Sequence, residues 1–375
     1  MSESAALSLF DSLSQVPDPR LDRTKLHQLV DILVIAVCAT ICAAETWEEI
    51  AEFGQAKESW FRKFLALPNG IPSHDTFRRV FLRIDPKKFQ ESFLEWIRSV
   101  THLTDGEVIA IDGKAVRGAR TPDGKEGLRM VSAWACEQRL VLGQLKTEAK
   151  SNEITAIPLL LELLELKGCI VTIDAMGCQS AVAAQIIKQK ADYVLSLKGN
   201  HRVLHEEVAE YFAWAEQTGF KNSEYDYCAT LEKDHGRIEE RKCWVTEDTE
   251  WFTEKAEWAG LRSFIMVEGT REVLGQAASV ERRYFISSLP ADARQALRAV
   301  RGHWQVENSL HWVLDVAFRE DACRTRTGHA PENLATLRHI AVNLLKQERS
   351  CKLGIKSKRL KAGWDESYML KVLNI

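Results

Sequence analysis

Through the first hundred or so residues, apolar positions return every three or four places, the spacing that lays one apolar stripe along a helix. Helices are predicted over 25–44, 47–67 and 86–100, and "IPSHDTFRRVF" reads as a turn followed by a helix bearing Arg78 and Arg79, with Ser73 and Asp75 as candidate caps. That turn and helix could be the second half of a DNA-reading helix-turn-helix, or a turn common to any helical bundle. From about residue 107 the texture changes. "VIAID", "MVSAWAC" and "LVLGQL" read as three successive strands, and the Asp112-Gly113 step has turn chemistry. A helix ("NEITAIPLLLELLELK"), a strand ("CIVTID"), a helix ("QSAVAAQIIKQK") and a strand ("DYVLSLKG") follow, which implies a mixed sheet with helices on its faces. Residues 200–290 break that rhythm with a helix over 201–217 and four strand-like pieces, "YDYCATLEK", "RIEERKCWVTE", "RSFIMVEG" and "RRYFISSL". Past Pro290 the pattern is helical again, with a last helix near 333–345.

The expected organisation is a helical N-terminal domain over 1–104, the first part of an α/β domain over 105–199, a β-rich insertion over 200–290, and the last part of the α/β domain with a basic tail over 291–375. At 375 residues the chain can bury its core without covalent staples. Its nine cysteines, odd in number and without a CxxC pair, argue against a disulfide framework or a zinc site and fit a cytosolic protein. The opening "MSESAALSLFDSL" is acidic and polar, so no signal peptide is expected. The longest early apolar run, 32–44, has thirteen residues, too few to span a bilayer, so a soluble, cytoplasmic protein without membrane contact is expected. A net charge of −3 disfavours indiscriminate polyanion binding. Local patches remain: 346–364 sets seven cations against Glu348, readable as phosphate contact or as a solvated helix face.

Two apolar runs, "VIAIDG" and "IVTIDAMG", close on an aspartate, Asp112 and Asp174. Either alone has an ordinary explanation as a turn residue. Two in one sheet, on strands about 4.8 Å apart, could face one another at the strand ends where α/β sheets bind ligands. Such a pair repels unless a cation lies between, and an all-oxygen site suits Mg²⁺ or Mn²⁺. Glu307 shares a helical stripe with Leu310, His311 and Leu314 and could face the sheet as a third acid; Asp315, Glu320 and Asp321 are rivals that spacing does not exclude. Lys114 and Arg117, just past the Asp-Gly step, would then meet the phosphates of a bound nucleic acid.

Taken in order, "IAIDGK", "KSNEITAIP", "TIDAMGCQ", "LKGN", "HGRIEER", "YFISS" and "HWQVENSLHWVLDVAFRED" resemble the transposases of bacterial insertion sequences linked to Rhs elements, the H-repeat-associated proteins of the DDE class. The resemblance runs from about Val16 to the C-terminus. It implies a ribonuclease-H-like catalytic core, interrupted by a β-rich insertion between the second and third acids, with a helical N-terminal domain. It places the triad on Asp112, Asp174 and Glu307, with 61 residues between the first pair and 132 between the second. Two divalent ions, Mg²⁺ or Mn²⁺, held by these acids would serve cleavage at the transposon ends and transfer of each 3′-OH to target DNA, without a covalent protein–DNA link. Double-stranded DNA is the implied partner, and pairing of two ends makes a homodimer physically reasonable.

Some related transposases carry a tyrosine, an arginine and a lysine at fixed offsets from the glutamate. Here Val300, His303 and Leu314 stand at those positions, so those DNA contacts are not carried over. Candidate DNA-binding residues are Lys198 and His201 in "LKGNH", His235 and Arg237 in "KDHGRIEER", His303 itself, and Trp304 by stacking on a base. Two further readings keep the same carboxylates: a metal-dependent nuclease, and a domesticated DNA-binding protein that no longer cuts, against which the intact acids speak.

Overall fold

The computed structural model describes residues 8–120, 127–147, 153–221, 224–234, 236–273 and 277–375. In chain order, helices α1 (Leu9–Ser14), α2 (Leu29–Ile41), α3 (Trp47–Ala56), α4 (Glu58–Phe61), α5 (His74–Phe81) and α6 (Pro86–Val100) precede strands β1 (Val108–Arg120), β2 (Gly127–Ala135) and β3 (Leu140–Lys146). Then come α7 (Glu153–Glu162), β4 (Ile170–Ile173), α8 (Ser180–Lys188), β5 (Asp192–Leu197) and α9 (Arg202–Gln217). Four strands follow, β6 (Asp226–Asp234), β7 (Arg237–Thr246), β8 (Ser263–Val273) and β9 (Ser279–Ser287), and then α10 (Ala293–Val306) and a π-helical turn, Glu307–His311. The chain closes with α11 (Trp312–Val316), α12 (Ala330–Gln347), α13 (Ile355–Trp364) and α14 (Glu366–Leu373). Among the described residues, no helix is long and apolar enough to cross a membrane.

Two compact units result, each discontinuous in sequence. One comprises Met1–His102, Gly113–Ala149 and Glu307–Ile375; the other comprises Leu103–Asp112 and Lys150–Val306. The linear boundaries expected from composition do not follow this division, because the N-terminal and C-terminal helices share one unit.

In the first unit, α2 is apolar on every side and nearly every residue of it is buried, as befits a central helix, with α12 packed beside it. Local signals start the surrounding helices. Thr46 and Glu49 cap α3 reciprocally, and Asp85 accepts the Lys87 N–H at 2.9 Å just ahead of Pro86, a residue whose missing N–H costs nothing at a helix start. Two buried asparagines of α12 tie it to backbone elsewhere: Asn333 Nδ2 donates to Phe81 O (2.9 Å) and Ile84 O (3.0 Å), and Asn343 exchanges bonds with both backbone groups of Val141. Val141 adjoins the register shift in the antiparallel β2–β3 pair, so the side-chain amide there satisfies groups that the ladder leaves.

Two sequence expectations are modified by these elements. The Asp112-Gly113 step is not a turn: β1 runs straight through it to Arg120. In the basic tail, α13 turns two of the seven cations, Lys358 and Arg359, inward, which removes those two from phosphate contact. Lys358 Nζ donates to Leu345 O (2.8 Å) and to Glu348 O, while Arg359 donates to Thr40 O (2.9 Å) and Ile41 O (3.2 Å) and lies 4.0 Å over the Phe318 ring. Helix-end carbonyls need donors, and these cations supply them. Further along β1, Gly118 is pressed against other backbone: a Cβ there would stand 2.1 Å from Cys323 O. Gly118→Ala should therefore cost about 1–3 kcal/mol, read as a lowered thermal midpoint; an unchanged midpoint would mean that this contact does not constrain the strand.

In the second unit, the first residues of β1 pair in parallel with β4, and β4 pairs in parallel with β5. The sheet then turns antiparallel through β9, β8, β7 and β6. The β-rich segment thus extends this unit's sheet through the β5–β9 pairing, so the sheet is mixed. All four residues of β4 are buried, as expected for a strand covered on both faces. Thr172 meets His303 of α10 on one face, and Ile173 and Ile157 of α7 close on Gly177 from the other.

Candidate active site

The parallel register sets Ile111 of β1 beside Ile173 of β4, so the next residues stand at the same level, Asp112 within β1 and Asp174 just past the end of β4. Side chains alternate along a strand, so Asp174 lies on the face of Thr172 and Asp112 on the face of Ala110, the same face of the sheet. That is the face on which α10 lies.

The local sequence explains how Asp174 is held. Its Oδ1 accepts the N–H groups of Met176 (3.1 Å) and Gly177 (3.3 Å), closing a tight turn directly after β4. Gly177 is required by close approach, since a Cβ would stand 2.3 Å from Ile173 Cγ2 and 2.6 Å from Ile157 Cδ1. Asn200 donates to Ala175 O, and His201 Nε2 lies 2.5 Å from Cys178 O, so the segment after β5 braces the same turn.

His303 reaches this turn from α10, with Nδ1 3.2 Å from Thr172 Oγ1. Burial holds its pKa below the ordinary histidine value; Asp174 and the Thr172 bond pull the other way, and the Lys198 charge adds to the depression. At neutral pH His303 is therefore a neutral hydrogen-bonding group, not a substitute for an arginine's charge. Lys198 follows β5 and is exposed. Trp304 is 41% exposed, with the Arg283 guanidinium 4.5 Å above its ring. His201 is also set edge-on to Trp258, and Arg237 Nε pairs with Glu239 at 2.9 Å. His235 lies outside the described residues.

In the other unit, Glu307 opens the π-helical turn and is exposed, while Leu310 and Leu314 are buried. A π turn carries one residue more than an α turn, so the expected stripe of Glu307 with Leu310, His311 and Leu314 is broken. Lys114 departs from expectation most clearly. It is only 9% exposed, and its ammonium faces Asp315 (2.7 Å), Glu320 (3.1 Å) and Asp321 (3.3 Å) rather than solvent. Burial acts against its charge, but Glu320, Asp315 and Asp321 more than offset this and hold its pKa above the usual lysine value. The rival acids Asp315, Glu320 and Asp321 are thus the partners of a buried lysine, which the local sequence did not signal. Arg117 points outward, with its Nε 3.5 Å from Asp321.

Among the described residues, no three His, Cys, Asp or Glu side chains are gathered closely enough to hold an ion. Asp112 and Asp174 offer hard oxygen donors from one face of adjacent strands, and that donor set fits part of a magnesium or manganese site.

Residues 10–97 match the family model described as DDE_Tnp_1-associated, and residues 103–344 match that of the transposase DDE domain. The chain is 44% identical to "Putative transposase YncI" of Escherichia coli O157:H7, over 98% of this chain and 94% of that protein. It is 40% identical to "H repeat-associated putative transposase YhhI" of Escherichia coli, over 97% of each. Among solved structures, a piggyBac transposase synaptic complex with hairpin DNA is similar at a TM-score of 0.45 and 11% identity, over 99% of this chain and 80% of that one.

Proposed function

This chain belongs to the DDE transposases, with H-repeat-associated insertion-sequence proteins among its relatives, and we propose that it cuts DNA at the ends of an insertion sequence and joins the 3′-OH ends to target DNA. The observation that carries this reading is the pair of aspartates at one level on adjacent parallel strands, within the matched DDE domain. A meander of three strands followed by parallel strands with intervening helices supports a ribonuclease-H-like core.

In this reading Asp112, Asp174 and Glu307 are the three acids that hold Mg²⁺ or Mn²⁺. When bound, such ions neutralise charge at phosphorus and make an attacking oxygen more acidic. The chain's own contribution is positioning, which carries most of phosphoryl-transfer catalysis. The Met176 and Gly177 N–H groups fix the orientation of the Asp174 carboxylate, and neutral His303 stands beside it without adding charge. Lys198 and Arg117, both exposed, are the backbone-phosphate contacts we assign, and Trp304 is a stacking surface for a base. To make these contacts Arg117 would release Asp321 and Trp304 would release Arg283 from its ring face; His201 and Arg237 would likewise have to exchange their protein partners. Two copies, each holding one end, make up the proposed synaptic complex.

The test is excision and integration from a plasmid carrying the gene's native flanks, in Mg²⁺ or Mn²⁺, with wild type beside Glu307→Gln and every junction sequenced. Defined ends and short target duplications from wild type, with none from the variant, are expected. Cleavage without defined ends would favour a nuclease; binding without cleavage by either protein would favour a domesticated binder.

A further inference from the structure

The surroundings of Lys114 point to a role for it other than DNA contact. All three of its carboxylate partners lie between residues 315 and 321, downstream of Glu307: Asp315 on α11, and Glu320 and Asp321 in the single turn that follows. The chain from Asp321 to Arg326 is fastened to β1 twice more. Asp321 Oδ1 accepts the Arg117 N–H at 3.0 Å, and Arg326 Nε donates to Gly118 O at 3.0 Å. Glu320, 2% exposed, also meets Arg338 Nη1 at 3.4 Å.

Burying a lysine with three acids is a poor way to gain stability, since well-packed apolar residues commonly do as well, whereas charged pairs accept only one register. Register is what Glu307 lacks by itself. It is exposed and opens a π turn that interrupts regular helix geometry between α10, which ends at the buried Val306 just before it, and α11, which begins five residues later, so its own burial does not fix its direction and the hold on α11 bears on it. We propose that Lys114 and Asp315 are positioning residues for Glu307: the ion pair clamps α11 to β1 and so sets the direction in which the preceding π turn presents its carboxylate. The inference rests on the reading of Glu307 as the third acid.

The test variant is Asp315→Asn, which loosens α11 but leaves Lys114 its Glu320 and Asp321 partners and so should fold. It is compared with Asp321→Asn, which loosens the following turn instead, and with Glu307→Gln. For Asp315→Asn the expected results are faster amide exchange in peptides spanning 307–316 at an unchanged thermal midpoint, unchanged affinity for the native flanking DNA, and cleavage reduced about ten- to hundredfold. Asp315→Glu, which keeps the charge, should recover part of that loss, and Asp321→Asn should lose less. Wild-type cleavage and exchange in Asp315→Asn would overturn the inference while leaving the Glu307 reading intact. So would a cleavage loss that disappears when the assay is cooled below a lowered thermal midpoint, since the clamp would then serve folding alone. A loss of DNA affinity with a shallower salt dependence in Lys114→Met would return Lys114 to phosphate contact and also overturn it. Wild-type cleavage by Glu307→Gln would remove the third acid and the inference with it.

Discussion

Asp112→Asn and Asp174→Asn are each expected to reduce strand cleavage by about 10³-fold or more, the scale seen when a preorganised charged or polar group is removed from a transition state. DNA affinity and thermal midpoint should stay close to wild type. The substitution keeps shape, and in Asp174→Asn the side-chain amide retains a carbonyl oxygen to accept the Met176 and Gly177 N–H groups that close the turn. The double variant should lose little more than either single one, because groups that act as a unit are not additive. Nicking of the flanking DNA in Mg²⁺, binding of the same DNA in filter or anisotropy assays, and thermal melts check the three parts separately. Wild-type cleavage in either single variant would rule out that carboxylate as part of the site, whatever the family.

The second large effect concerns stability and pH. Glu348 follows α12 and is buried, and its carboxylate accepts from Ser350 N (2.7 Å), Ser350 Oγ, Cys351 N (3.3 Å) and Tyr368 Oη (2.7 Å), with Lys358 Nζ at 3.8 Å. Burial would raise its pKa, but the bonds from Ser350, Tyr368 and Cys351 more than offset this and bring it down from an ordinary 4.5 to about 2. A carboxylate whose folded pKa is depressed stabilises the fold at pH values above its unfolded pKa, and that stability is lost as pH falls through the folded value. The contribution is on the order of 3 kcal/mol at neutral pH. It should be full above about pH 5, decline through pH 4 and 3, and vanish below about 2. Glu348→Gln should be destabilised by a similar amount at pH 7, with the gap to wild type closing as pH falls, because the protonated glutamate then resembles glutamine. Urea unfolding at pH 7, 4 and 2 measures this; a gap that does not change with pH would assign the loss to packing or altered hydrogen bonding rather than to charge.

Much of the fold is legible without coordinates because its signals are local. The start of α6 is written in Asp85-Pro86, and that of α5 in Ser73, whose hydroxyl accepts the Thr76 N–H at 3.4 Å. The largely apolar "IVTI" is buried at all four positions, and the two aspartates that follow matching apolar runs stand at one level beside parallel neighbours. The Asp112-Gly113 step has turn chemistry, yet strand pairing overrides it and β1 continues to Arg120.

Periodicity, caps and motif order are properties of neighbouring residues, and they sufficed for the family and much of the order of strands and helices, and drew attention to Asp112 and Asp174. Which cations are free to meet DNA depends instead on how the chain closes on itself. Lys114 looked like a phosphate ligand beside Asp112, yet its ammonium is held in part by an aspartate 207 positions away. Arg359 looked like part of a basic tail, yet it serves carbonyls 318 and 319 positions away. The division of the chain into units and the π turn at Glu307 were hidden for the same reason. A charge carries no record in its own neighbourhood of whether water or a distant carboxylate will solvate it, and the desolvation cost that makes pairing obligatory arises only once the chain has closed around it.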